Sequence, residues 1–413
     1  MKMKKTLVCL SVVGALMAMS NNAAASAFAL IEQSSGLGNA FAGGAAAAED
    51  ATTIFFNPAG MSRLKGKQVT LAGSLIQPSA KFSNTGSTPA AGPRPLGGNG
   101  GDAGGLALVP NTYMMMELDP TLRLGLGINA PFGLQTEYDA TWIGRFQAVK
   151  SRIETINLNP SVAYQVNDSV SLGLGLNYQH ISGELTNAVN LGAAEGFSSV
   201  KGSDSSWGYN FGALFNVTPD TRIGLAYRSK VKYTLSGTVT FTGGVPAANG
   251  DVTLPITMPD SLSISGFHRL TDKWDLMADA TRTGWSVLKQ LQITRTSGAV
   301  LQTVPENWKD TWRVAVGASY HYNEQWLARI GAAYDHSPVP DAFRTARIPD
   351  NDRTWFSLGG QYKPSASGTI DFGYAHLVVK DASINQPTAT SGSLVGTYSS
   401  SVDILSLQYA YNF

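Results

Sequence analysis

The chain is poor in charge and nearly devoid of cysteine. Only 14% of its 413 residues are Asp, Glu, Lys or Arg, and the formal net charge is +1. Disordered chains need a charge excess and coiled coils need a heptad composition, so neither class fits. Nucleic acid is no partner either, because that calls for clustered Lys and Arg. The single cysteine, Cys9, stands near the start, leaving no disulfide and no thiol chemistry further along. The five histidines, His180, His268, His321, His336 and His376, show no metal-ligand spacing. No cofactor and no metal is expected. Long apolar runs are also missing after the first segment, which excludes a membrane-spanning helix there.

That first segment carries Lys2, Lys4 and Lys5, an apolar run from Leu7 to Met19, and then Ala23-Ala24-Ala25 before Ser26-Ala27. The pattern predicts a secretory signal peptide over 1–25, with cleavage after Ala25 or Ala27. Cys9 lies inside its apolar run and has no lipoprotein-type ending around it.

What the chain has in quantity is glycine, 44 residues, and aromatics, with 16 Phe, 15 Tyr and 8 Trp. They are arranged at period two. Ile156, Leu158, Val162, Tyr164 and Val166 share one face, opposite Asn157, Asn159, Ser161, Ala163 and Gln165. After Asn167-Asp168, the residues Val170, Leu172, Leu174, Leu176 and Tyr178 alternate with Ser171, Gly173, Gly175, Asn177 and Gln179. This is a hairpin with one greasy face and one small or polar face. Such a polar face makes no dry core but suits a lumen, which turns the greasy face to lipid.

Such segments recur near 69–77, 105–118, 121–129, 153–166, 169–180, 206–217, 221–235, 258–270, 273–286, 309–321, 325–335, 353–363, 367–378 and 402–413. Tight turns such as Asp119-Pro120, Thr271-Asp272 and Asn323-Glu324 alternate with long loops, and the chain ends on the period-two run Leu405, Leu407, Tyr409, Tyr411, Phe413. The expected fold is all-β: a 14-stranded antiparallel transmembrane β-barrel over 67–413, with short turns and both termini periplasmic. A β-sandwich or propeller predicts similar turns at both ends and a dry inner face. A closed barrel has no free edge, so a monomer is expected. Residues 26–66 are rich in Gly and Ala yet hold Phe28, Leu30, Ile31, Phe41, Ile54, Phe55 and Phe56. They are expected to form a hatch, or plug, inside the lumen rather than a solvated tail.

Several segments carry a family likeness. Asn57-Pro58-Ala59, preceded by Ser35-Gly36-Leu37-Gly38 and Ala48-Glu49-Asp50, resembles the N-terminal hatch of the FadL family of outer-membrane transporters for long-chain fatty acids and other hydrophobic compounds. Asn129-Ala130-Pro131-Phe132-Gly133, Asn157 to Tyr164, Trp285, Ser337-Pro338-Val339-Pro340 and Ile348 to Arg353 resemble family segments in family order. The resemblance implies capture by outer loops, binding in the lumen and sideways release into the bilayer. The physics agrees: exposing ~16 methylenes to water at ~0.8 kcal/mol each costs about 13 kcal/mol, so a water-filled pore is the wrong device. Monoaromatic hydrocarbons by the same route are the alternative substrates, and a barrel hydrolase is the reading from another class.

The candidate residues follow. Asn57, Pro58 and Ala59 are expected to form the gating kink of the hatch, and the resemblance implies that Phe28 reaches the ligand. Pro131 cannot donate to a strand ladder, so Ala130, Pro131, Phe132 and Gly133 are the expected exit kink. By parity Arg222, Arg228, Arg313, Arg329 and Arg353 face the lumen. Arg222, Arg228, Arg313 and Arg353 are candidates for a ligand carboxylate, set against the plainer roles of pairing with Asp275, Asp279, Asp335 or Asp371, or of solvation. Ile181, Leu185 and Val189 fall on one helical face and, with Phe197 and Phe241, are expected to form an outer capture groove. Arg145, Lys150 and Arg152 suggest a rim for lipopolysaccharide phosphates. Ser62-Arg63-Leu64-Lys65 matches S-x-x-K without partner motifs, and no catalytic residue is expected.

Overall fold

Lipid outside and a plug inside dictate the alternation seen in every wall strand. The computed structural model describes residues 27–413 apart from 93, 193, 245–247 and 389–390, so the expected signal peptide lies outside the described residues. Fourteen strands form the wall: β1 Lys67–Asn84, β2 Ala107–Glu117, β3 Leu122–Asn129, β4 Lys150–Gln165, β5 Val170–Asn190, β6 Glu195–Thr218 and β7 Thr221–Arg228, then β8 Ser261–Thr271, β9 Trp274–Thr283, β10 Thr311–His321, β11 Trp326–Asp335, β12 Arg353–Tyr362, β13 Gly368–Val379 and β14 Gly392–Asn412. Each pairs antiparallel with the next. The ring closes where β1 meets β14, from Gln68 opposite Asn412 to Asn84 opposite Gly396. The outward side chains are apolar and uncovered, as with Leu174 at 48% exposure, Val314 at 50% and Leu407 at 63%. Only a hydrocarbon surround stabilises such a surface. The protein is a multi-pass transmembrane β-barrel.

The strand count agrees with the sequence pattern; the boundaries differ where the lipid ends. β1, β5, β6 and β14 run well past their greasy segments, to Asn84, from Val170 to Asn190, from Glu195 and from Gly392. Above the hydrocarbon the outward face is no longer uniformly greasy, yet pairing continues and apolar side chains such as Phe82, Ile181 and Tyr398 are buried. The segment expected as one strand at 221–235 is two. β7 stops at Arg228, opposite Ser261, and Val231–Thr242 changes partner to the outer half of β6, Val239 facing Val200. The helical face expected through Ile181, Leu185 and Val189 is corrected: all three lie in β5. A spacing of four fits a strand face as well as a helix face.

Residues 27–66 lie inside the barrel. They form 3-10 turns at Ser35–Asn39 and Pro58–Arg63 and single helical turns at Gly44–Ala47 and Thr53–Phe56. Helices this short are unstable alone, so the wall must hold them. It does so by lacking side chains where the hatch passes. A Cβ added at Gly173, Gly212, Gly224 or Gly331 would overlap Ala59, Asn57, Ala45 or Asn39 respectively. The wall also grips by polar contacts. Arg329 is paired with Asp371 at 2.6 Å and with hatch residue Glu49 at 2.5 Å, while Gln408 accepts from Ser35 N and donates to Asp50. Ala40, Phe41 and Ala48 adopt left-handed φ of 49°, 55° and 49°. Strain of roughly 1–3 kcal/mol each persists only where surroundings over-determine the backbone.

Candidate functional site

The wall is broken beside β3. The β3–β4 ladder runs to Asn129 opposite Asn157 and resumes at Gly133 opposite Glu154, leaving Ala130, Pro131 and Phe132 out of register. On the other side, β2 and β3 part after Thr112 and Ile128, and the outer half of β2 keeps only its β1 partner. The freed backbone turns to the hatch: Leu30 N donates to Pro131 O and Gly133 N to Phe28 O, both at 2.9 Å. The hydroxyl of Thr155 both accepts from Phe132 N and donates to Phe132 O. Unpaired backbone at membrane depth is tolerated only against protein or a cavity, and here it meets both.

A cavity of about 140 Å³ lies beside this break, between the hatch and the wall. Leu30, Phe41, Phe56, Pro131 and Phe132 line it, with Arg228 and Arg313.

The four candidate arginines separate. Arg222 stacks on Phe267 and donates to the carbonyls of Ala46 and Ala47, which makes it a hatch anchor. Arg353 pairs with Asp350. Arg313 donates to Ala40 O at 2.6 Å, lies 3.9 Å from Asp279 and reaches the cavity. Arg228 stacks on Phe55 and donates to Phe55 O and Asn177 Oδ1, with no carboxylate in ion-pair range among the described residues. A cation satisfied only by neutral oxygens attracts an anion. Neither Arg222 nor Arg353 lines the cavity.

Asn57 holds the hatch turn together. Its amide donates to Ala45 O at 2.7 Å and to Ala213 O of β6 at 3.0 Å, and its oxygen accepts from Ala59 N. Pro58 starts the following 3-10 turn, where its missing N–H costs nothing. Ser62 closes that turn by donating to Ala59 O.

Phe28 is fully buried among Phe132, Trp285 and Trp308. Next to it, Ala27 N donates to Asp350, which also accepts from Ser337 Oγ at 2.7 Å. The outer loops therefore tie down the first turn of the hatch, a link that the sequence did not disclose. In the same cluster Glu306 accepts from Trp308 Nε1 at 2.9 Å, and burial pushes its carboxyl up to about 8. Leu185 and Phe241 pack against the apolar cluster of Val239, Val252 and Ile293 above the wall; Val189, half-buried, stands apart from it. The rim cations are engaged: Arg145 with Glu195, Lys150 with Glu137 and Glu184, Arg152 with Glu154.

A lipid-facing barrel with a packed hatch, an apolar cavity and a break in its wall is a plugged outer-membrane transport channel. Residues 16–413 match the family described as outer membrane protein transport protein (OMPP1/FadL/TodX), and the chain belongs to it. It is 33% identical to outer membrane protein P1 of Haemophilus influenzae, over 88% of each chain. With the long-chain fatty acid transport protein of Escherichia coli K12 the identity is 30%, over 93% of this chain and 95% of the other. The crystal structure of a Pseudomonas aeruginosa FadL homologue superposes with a TM-score of 0.87 at 27% identity, covering 94% of this chain and 99% of that one. The Ralstonia pickettii toluene transporter TbuX shares the fold, with a TM-score of 0.69 at 23% identity over 93% and 99%.

Proposed function

We propose that the protein carries long-chain fatty acids across the outer membrane and releases them sideways through the break at Ala130–Gly133. The observation that carries this reading is Arg228, a cation without an acidic partner at the edge of an apolar cavity that adjoins the wall break. Carboxylate and chain each find a complement there. Leu185 and Phe241 belong to the outer capture surface, and the turn at Asn57, Pro58 and Ala59 moves when ligand enlarges the lumen. The barrel acts as a monomer without catalysis, and lipopolysaccharide is its lipid neighbour rather than its cargo. A deletion strain complemented with the gene tests this: growth on oleate supports it, and loss of oleate growth on Arg228→Leu locates the carboxylate. A folded barrel that is heat-modifiable on gels but cleaves phospholipid or peptide would return the hydrolase reading.

One observation favours monoaromatic hydrocarbons instead. The cavity is close to the roughly 150 Å³ that holds a benzene ring. Growth on toluene without growth on oleate decides for that reading.

A further inference from the structure

Beneath the wall break, the inner face carries the same amide side chain on one strand after another. Asn129 of β3 stands opposite Asn157 of β4, and Asn210 of β6 stands opposite Arg228 of β7. Asn177 of β5 lies between them. Asn157 donates to Asn129 at 3.1 Å and to Asn177 at 3.0 Å; Asn177 donates to Asn210 at 2.9 Å; Arg228 donates to Asn177 at 2.6 Å. The result is a continuous belt from the unpaired guanidinium to the last residue before the kink. One register step beyond the final β2–β3 pair, Asn111 donates to Glu32 O of the hatch at 3.0 Å.

The belt has more hydrogen-bonding capacity than it uses. Asn111 Oδ1, Asn157 Oδ1 and Asn210 Nδ2 have no hydrogen-bond partner among the described residues, and all three residues are at most 2% exposed. Buried amides cost free energy unless they are bonded, so five wall positions spent on Asn need a reason that packing does not supply. An amide is both donor and acceptor, and so serves a head group at each step without holding it as an ion pair would. The acids that line the cavity with Arg228 and Asn210, Asp279 and Asp335, stand on β9 and β11 rather than on the belt strands.

We propose that this asparagine belt is a head-group track: the carboxylate of a single-chain amphiphile moves from Arg228 along Asn210, Asn177, Asn157 and Asn129 to the opening, while its chain passes out beside Pro131. The proposal rests on the fatty-acid reading above and adds a route for the polar end. The route lowers the barrier for leaving Arg228, because the head group exchanges one hydrogen-bond partner for the next instead of entering hydrocarbon bare.

The test uses purified full-length protein in phosphatidylcholine vesicles, with oleate and octadecane as probes. Asn157→Val, which interrupts the belt, should slow oleate transfer about tenfold while leaving octadecane transfer and oleate affinity unchanged. Asn157→Ser, which keeps a hydroxyl in line, should restore most of the rate, and gel heat-modifiability confirms that both variants are folded. Equal slowing of oleate and octadecane overturns the track and makes the belt structural. Unchanged oleate transfer overturns it outright. Wild-type protein that moves octadecane but not oleate removes the fatty-acid reading and the track with it, an outcome distinct from a failure of the belt alone.

Discussion

Phe28 meets Trp285 edge-on, with ring centroids 4.7 Å apart and planes at 71°. One ring belongs to the hatch and the other to the outer loop between β9 and β10, so plug and loop share one aromatic core. Phe28→Ala removes the central ring of that core at about 3 kcal/mol or more. The wall ladder is untouched, so heat-modifiability should be unchanged while the emission of Trp285 and Trp308 shifts to the red. Unaltered emission would show that the cluster does not depend on Phe28.

Asn57→Leu strips a hydrogen bond from the buried Ala45 O, at roughly 1–3 kcal/mol for a carbonyl left unbonded, and unties the hatch from Ala213 O of the wall. The barrel should assemble normally with a loosened plug. Conductance in planar bilayers should rise and oleate uptake should fall; a variant as tight and as active as wild type reduces Asn57 to an ordinary turn residue.

Straightening the kink should separate binding from release. With 130–133 replaced by β-branched residues, β3 can extend along the free edge of β2 at Ala107–Asn111. Oleate should still bind and transfer to lipid should stop. Normal transfer through a strand shown to be straight sinks sideways release.

Glu306 predicts a pH response in the outer loop. Burial raises its carboxyl from 4.5 to about 8, opposed by the Trp308 hydrogen bond and by Arg347. The folded loop therefore holds the proton where the open loop has lost it, and loop stability falls as pH rises from about 4.5 to about 8. Hydrogen-exchange protection around Trp308, taken relative to the intrinsic rate at each pH, should fall across that window. Glu306→Gln should flatten the profile, and a wild-type profile already flat contradicts the assignment.

The wall was legible because lipid enforces alternation, residue by residue, at Leu172, Leu174 and Leu176 against Gly173 and Gly175. Where lipid stops, the greasy outward face stops too, so the sequence pattern marks only the membrane-embedded parts of β5 and β14. The hatch was legible as apolar mass but not as structure, since turns of four to six residues owe their shape to the wall. Parity placed the arginines inward; their partners, such as the carbonyls of Ala46 and Ala47 for Arg222, exist only in three dimensions. The belt had a trace in the sequence. Asn157, Asn177 and Asn210 all stand on the polar faces of neighbouring strands, yet an amide in a lumen looks like solvent contact until it is found buried.

The glycines under the hatch bear on how the barrel is made. Because the wall is moulded to the plug within a bond length, a finished cylinder offers no room for 27–66 to be threaded in afterwards. A plug already lying on the growing sheet when β14 reaches β1 avoids that step. Closing that seam, from Gln68 to Asn84, is then also the step that captures the plug, and any substitution that bulks up Gly212 or Gly331 should act on biogenesis before it acts on transport.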